Sequence, residues 1–238
     1  PPPRLEVSVE KMKRKFGVEI ELAVPRVPYM ETVSSRSRVE YRHKKQSGGS
    51  GEFAEVWIRV EPTERGAGLE FVNSIFGGAI SQSYVQSVEK GISSMMKDGV
   101  LAGCEFVDIK VEVYDGKEHP VDSKDVAFQK AGREAFKLAV NSAKPVLLEP
   151  IVILEVTFPS EYTGDIQGDI TRRRGRVQGV DAIGDFQTIK ALVPLAELSD
   201  YASSLGSVTG GQGSYNIEEG HYETAPAQVQ QKVIEAYN

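Results

Sequence analysis

The segment His43-Lys44-Lys45-Gln46-Ser47-Gly48-Gly49-Ser50-Gly51 combines residues suited to contacting RNA. Its lysines favour phosphate, Gln46 and Ser47 can hydrogen-bond to riboses or base edges, and its glycines let the backbone approach another surface closely. A solvated hairpin loop is the plainer reading. In Lys117-Glu118-His119-Pro120-Val121-Asp122-Ser123 a histidine close to an aspartate suggests acid–base chemistry. No nucleophile or second ligand follows in register, and Asp122 or Ser123 has a ready role as a helix cap. Thr171-Arg172-Arg173-Arg174-Gly175, with Arg176 close behind, suits a helix end, where cations meet the negative pole of the dipole and glycine terminates the turn. So many arginines exceed what capping requires, so contact with phosphate or an acidic protein is expected as well.

The elements that must position these groups follow from periodicity. Leu5, Val9, Met12 and Phe16 form a helical stripe for core packing that Gly17 ends. Val18, Ile20, Leu22 and Val24 alternate as a strand, and Pro25 and Pro28 break it. A strand near Val33 to Arg42, the Gly-Ser segment and a strand from Phe53 to Val60 make a long hairpin. Leu69 to Val72 is a further strand. Tyr84, Val88, Ile92 and Met95 mark a helix closed by Asp98-Gly99. Val107, Ile109, Val111 and Val113 alternate with charged residues as the clearest strand, and Asp115-Gly116 reads as a turn. A helix then runs to about Ser142, with Ala127, Ala131, Ala135 and Ala139 allowing close packing on a sheet.

From Lys144-Pro145 onward the order is informative. It runs as a strand Ile151 to Phe158, a helix Gly164 to Arg174, strands Gly175 to Asp181 and Phe186 to Val193, a helix through Leu195, Leu198, Ala202 and Leu205, and a strand Ser214 to Glu218. That is βαββαβ, the ferredoxin-like pattern. A terminal helix from Ala225 to Tyr237 follows.

Composition narrows the function classes. With 40% apolar and 26% charged residues, the chain reads as a globular protein without a membrane span. The lone Cys104 suits a reducing cytoplasm. A formal charge of −6 opposes indiscriminate coating of nucleic acid and leaves local basic sites possible. No G-x-x-x-x-G-K-[ST] loop is present, so GTP is not expected to bind here. His43, His119 and His221 lie far apart with one cysteine, so no metal and no cofactor are expected.

Several strings, in their order, resemble the C-terminal domains of elongation factor G. Val9-Glu10-Lys11-Met12-Lys13-Arg14-Lys15-Phe16-Gly17-Val18 is similar to the end of the third domain, and Lys45-Gln46-Ser47-Gly48-Gly49 to the tip of the fourth. Leu101-Ala102-Gly103, the run from His119 to Ser123 and Lys144-Pro145-Val146-Leu147-Leu148-Glu149-Pro150 also fit. Thr163-Gly164-Asp165, Gly168-Asp169 and Arg172-Arg173-Arg174-Gly175 extend the match into the fifth domain. Two positions depart from the pattern: Gln212 stands where a basic residue is expected, and Ser50 where many relatives are basic.

The resemblance implies an α+β chain. Residues 1–28 end the third domain, a remnant of a domain cut near Leu5. Residues 29–148 form a mixed α/β domain of ribosomal-protein-like fold with a protruding β-hairpin tip. Residues 149–238 form a ferredoxin-like sandwich with the C-terminal helix. It further implies that Lys44, Lys45, Gln46, Ser47, Gly48 and Gly49, with His119, Pro120, Val121 and Asp122, contact tRNA, mRNA and ribosomal RNA in the decoding centre during translocation. Arg172, Arg173 and Arg174 would contact the ribosome near the large-subunit factor-binding region. The chain would be a cytoplasmic monomer without GTPase activity, GTP and Mg being bound by the parent's missing domain. Alternatives are a paralogue serving ribosome recycling or antibiotic protection, a free-standing RNA-binding module, and an enzyme using His119 and Asp122.

Overall fold

The computed structural model describes residues 3–18, 26–46 and 51–237. The helices are α1 (Pro3–Phe16), α2 (Gln82–Asp98), α3 (Asp125–Ser142), α4 (Thr163–Arg172), α5 (Tyr201–Thr209) and α6 (Ala227–Tyr237). The strands are β1 (Met30–Val33), β2 (Ser37–Lys45), β3 (Glu52–Pro62), β4 (Leu69–Asn73), β5 (Ile109–Lys117), β6 (Pro145–Pro159), β7 (Arg176–Ile183), β8 (Phe186–Pro194) and β9 (Ser214–Thr224). Short 3-10 helices precede α4 (Ser160–Tyr162) and α5 (Leu195–Leu198). The fold is mixed α+β, in two compact units: Pro28–Glu149 with Tyr222–Asn238, and Pro150–His221 with Pro1–Val27. Among the described residues no helix is long and apolar enough to cross a membrane.

In the first unit the sheet runs β2-β3-β5-β4, with β4 parallel to β5 and the other pairs antiparallel. Ala54, Val56, Ile58 and Val60 of β3 share one face with Ile109, Val111 and Val113 of β5, and all are buried in one cluster with α2 and α3. Each buried Val or Ile contributes roughly 1.5–3 kcal/mol. A one-residue slip would expose the whole set, so this alternation fixes the register. The alanines of α3 are fully buried as expected. The two helices also touch backbone to backbone: a Cβ on Gly132 would lie 2.5 Å from the Val88 carbonyl oxygen, and one on Gly91 would overlap that of Gln129.

Some expectations fail for physical reasons. The strand foreseen from Val33 to Arg42 is two strands in different sheets. Ser34 and Ser35 turn their N–H groups to the carbonyls of Lys144 (3.1 Å) and Ala143 (3.0 Å), which draws the chain away from β1. Val107 lies before β5 rather than in it. Asp115-Gly116 is not a turn but part of β5, next to a bulge where Trp57 pairs with Asp115 and Ile58 with Val113. Glycine is needed there because the Glu55 carbonyl and the Ile80 side chain occupy the space of a Cβ. The strand expected over Val18 to Val24 falls almost wholly outside the described residues, as do Ser47, Gly48, Gly49 and Ser50.

A buried carboxylate also shapes this unit. Glu31, fully buried, accepts N–H bonds from Val100 (2.6 Å), Leu101 (2.8 Å), Ala102 (2.9 Å) and Cys104 (3.0 Å). It thereby satisfies a loop that would otherwise leave donors orphaned. Helix α6, attached to the last domain in the sequence reading, groups with this unit. Gln230 Oε1 accepts the Leu147 N–H at 3.1 Å, and Tyr237 meets Tyr29 edge-on at 6.1 Å.

In the second unit the strands order as β9-β6-β8-β7, with β8 antiparallel to both β6 and β7. This is the ferredoxin-like arrangement expected from βαββαβ. Leu154, Val156, Phe158, Ile189, Ala191 and Val193 face Ile166 and Ile170 of α4 and Tyr201 and Leu205 of α5. The single helix foreseen through Leu195 and Leu205 is broken before Asp200, which opens α5. Helix α1 ends at Gly17 as foreseen, with φ +65°. The C-terminal part of its stripe, however, is not core: Met12 is 47% and Phe16 67% exposed, and the Lys15 ammonium lies over the Phe16 ring at 5.4 Å.

Candidate nucleic-acid interface

The tip begins with the β2–β3 hairpin, paired from Ser37↔Val60 to Lys45↔Glu52. This ladder carries Lys44, Lys45 and Gln46 to one end of the first unit, all exposed. The segment between β5 and α3 reaches the same end. Phe53 N–H donates to the Asp122 carbonyl (2.9 Å), Ser123 Oγ donates to the Phe53 carbonyl (2.9 Å), and Gly51 N–H donates to Asp122 Oδ1 (3.1 Å). A Cβ on Gly51 would lie 3.1 Å from the Asp122 carboxyl carbon, so glycine makes room for that carboxylate.

The capping role foreseen for Asp122 or Ser123 is therefore wrong. Helix α3 starts at Asp125, its preceding residue Lys124 makes no side-chain cap, and both candidate caps are engaged in joining the loops. Ser123 Oγ also accepts the His119 N–H at 2.8 Å.

His119 organises its own turn. Its Nδ1 accepts N–H bonds from Val121 (3.2 Å) and Asp122 (3.1 Å), which places the neutral ring's proton on Nε2. Its ring lies 6.0 Å from that of Phe53. His119, Pro120 and Val121 are exposed, Val121 by 71%, while Asp122 is half-buried. The histidine–aspartate pair of the sequence is thus a brace within a loop, with 3.7 Å between Nδ1 and the second carboxylate oxygen.

Beneath the tip, Glu52 accepts from Lys130 Nζ (2.8 and 3.0 Å) and pairs with His43 Nε2 (2.7 Å). The Lys130 hydrogen bond, followed by that of His43, holds its carboxyl down at about 2. This network fastens the hairpin to α3. The sequence reading missed Glu52 and Lys130, whose positions are 78 apart; no local pattern joins them.

The arginine cluster divides. Arg173 is internal, its side chain 12% exposed. It donates to Asp169 Oδ2 (2.8 Å), Asp200 Oδ1 (2.6 Å) and the Glu197 carbonyl (2.5 Å), and lies over the Tyr201 ring. Its hydrogen bond holds the Asp200 carboxyl below its ordinary value. Arg174 pairs with Glu197 at 2.9 Å. Arg172 is 76% exposed, with Asp169 at 3.6 Å. The helix stops differently from expectation: Arg174, at φ +58°, takes the left-handed position. Gly175 instead lies so close to Ile170 that a Cβ would fall 2.5 Å from its Cγ2.

At the tip, the arrangement offers exposed cations, an amide donor and a ring N–H on a braced pair of loops, a chemistry of recognition. Among the described residues no group of three or more His, Cys, Asp and Glu comes together to hold a metal ion.

Comparison with known proteins agrees with this architecture. Residues 25–144 match the family described as elongation factor G, domain IV, and residues 146–233 match the elongation factor G C-terminus. A crystal structure from Thermus thermophilus is 40% identical to this chain, with a TM-score of 0.85, and the match covers 98% of this chain. This chain spans 35% of that protein.

Proposed function

The chain belongs to the elongation factor G family and carries its domain IV and C-terminal part, and from that premise we propose that it is the ribosome-facing portion of a translational GTPase that promotes tRNA–mRNA translocation. The observation carrying this reading is the fusion of two distant loops into one tip by the bonds among Gly51, Phe53, Asp122 and Ser123. A braced tip with exposed Lys44, Lys45, Gln46, His119 and Pro120 can enter the decoding centre and hold tRNA and mRNA in register by steric and hydrogen-bonding contact. Ser47, Gly48 and Gly49, next to Gln46 in sequence, are assigned contacts with the same RNA partners in this reading. GTP hydrolysis and its Mg belong to another domain of the parent protein. Of Arg172, Arg173 and Arg174, Arg172 is the one placed to contact the ribosome, because its side chain is 76% exposed while those of Arg173 and Arg174 are 12% and 30% exposed and turned to Asp169, Asp200 and Glu197. The reading places the protein in the cytoplasm as a monomer.

The test uses the full-length parent. Reversing Lys44 and Lys45 to Glu, or replacing His119 by Ala, is expected to slow mRNA–tRNA movement at least about tenfold, the rate equivalent of ~1.4 kcal/mol in the transition state. Unchanged movement with lost subunit splitting would instead assign the chain to recycling.

A further inference from the structure

The face of the four-stranded sheet turned away from α2 and α3 carries charges that folding alone does not account for. Register sets Arg38 directly opposite Arg59, and like charges facing each other across paired strands repel. Arg59 is compensated on its far side, where it donates to both oxygens of Glu112 at 2.6 and 2.8 Å. Arg36 has Glu61 at 2.9 Å, and Lys110 lies 3.7 Å from Glu61 and 3.3 Å from Glu70. Arg38, exposed, has no carboxylate partner among the described residues.

Arg38 also stands between two depressions. One, of about 620 Å³, is lined by Arg36, Arg38, Arg59 and Lys110 against only Glu61 and Glu112. The other, of about 410 Å³, is lined by Arg38, Glu40, Trp57 and Tyr114. Its rings are held in place before any ligand arrives. Trp57 Nε1–H donates to Glu55 at 3.2 Å, Tyr114 meets the indole edge-on at 6.1 Å, and the Arg59 guanidinium lies over Tyr114 at 5.0 Å. Groups already ordered lose little entropy on binding.

We propose that this face is a second RNA-binding surface, distinct from the tip. A phosphate of a single-stranded RNA segment sits at Arg38 in the basic groove, relieving its repulsion with Arg59, and the adjoining base packs against Trp57 and Tyr114. An acidic protein segment would use the cations equally well but gives the two fixed rings no role. The base platform explains both halves of the site, as in other single-strand binding surfaces. At the rise of a β-strand, Arg38 lies about 23 Å along the strand from Lys45, so the two surfaces can be tested separately.

The chain contains one tryptophan, and it lies in this site, so intrinsic fluorescence of the full chain reports on it. Titration with a single-stranded RNA of about ten nucleotides is expected to quench Trp57 saturably. Arg38→Gln should weaken the midpoint about tenfold and lower the slope against log salt by about 1, and Tyr114→Leu should weaken it similarly. Reversal of Lys44 and Lys45 to Glu should leave the quench within about twofold, even if the tip has no role in translocation. Since Arg38→Gln removes a like-charge pair, its melting temperature should not fall. Absence of quenching, a midpoint indifferent to Arg38→Gln, a destabilised Arg38→Gln protein, or equal competition by polyglutamate would each overturn the proposal, the last in favour of an acidic protein partner.

Discussion

The tip and the arginine cluster look alike as sequences, short runs of cations next to glycine, yet the folded chain treats them oppositely. At the tip the bracing is done by backbone amides and by Asp122, Ser123 and His119, and Lys44 and Lys45 remain outside it, exposed. In the cluster the central guanidinium is itself the brace, shared by Asp169, Asp200 and the Glu197 carbonyl. A run of positive charge therefore says little about an external partner until the protein's own carboxylates are located. Where the protein's own amides, hydroxyls and other cations take up its carboxylates, as with Gly51 on Asp122 and Lys130 on Glu52, the neighbouring lysines stay exposed.

The largest effect that would test this contrast is Arg173→Ala. It leaves Asp169, which is 9% exposed, with the longer 3.6 Å contact to the exposed Arg172 in place of its 2.8 Å bond, and is expected to cost about 3–5 kcal/mol in urea unfolding. Arg172→Ala should stay within about 0.5 kcal/mol; similar losses in the two would erase the distinction between them. Next, Ser123→Ala removes the donor to the Phe53 carbonyl and the acceptor of the His119 N–H. A loss of about 1–3 kcal/mol is expected, read as faster hydrogen exchange at His119 and Phe53; exchange confined to His119 would mean that the two loops are joined by other means.

Smaller still is the acid response of the tip base. The Glu52 carboxyl, at about 2 when folded against an ordinary 4.5, contributes stability in full above its ordinary value and loses it as pH falls toward 2. Thermal melts from pH 5 to 3 should thus decline more steeply for the native protein than for Glu52→Gln, and parallel curves would remove Glu52 from the bracing. Smallest is the Lys44→Glu, Lys45→Glu double reversal, expected to change stability by no more than about 0.5 kcal/mol. A larger loss would make those lysines structural, like Arg173.

Much of this architecture is legible locally. The alternation of Ile109, Val111 and Val113 identifies β5, Asp98-Gly99 the end of α2, and the order of the last elements the ferredoxin-like sheet. What escapes a linear reading depends on partners far away. Gly116 looks like a turn residue until Ile80 is placed beside it. Asp122 looks like a cap until Gly51, 71 positions distant, claims its oxygen. Arg173 looks available until Asp200 folds back on it. The opposition of Arg38 and Arg59 requires the strand register, which neither strand encodes alone.

The two amides converging on His119 Nδ1 have a consequence for reactivity. A neutral imidazole acts as base or nucleophile only through its unprotonated nitrogen, and here that lone pair is turned inward and occupied. What remains for a partner is the Nε2–H, which can donate a hydrogen bond but cannot abstract a proton. The residue that most invites a catalytic reading in the sequence is, in the folded chain, a ring whose Nδ1 acceptor position is taken up by the amides of its own turn. It should react sluggishly with acylating reagents such as diethyl pyrocarbonate while keeping its capacity to recognise an acceptor.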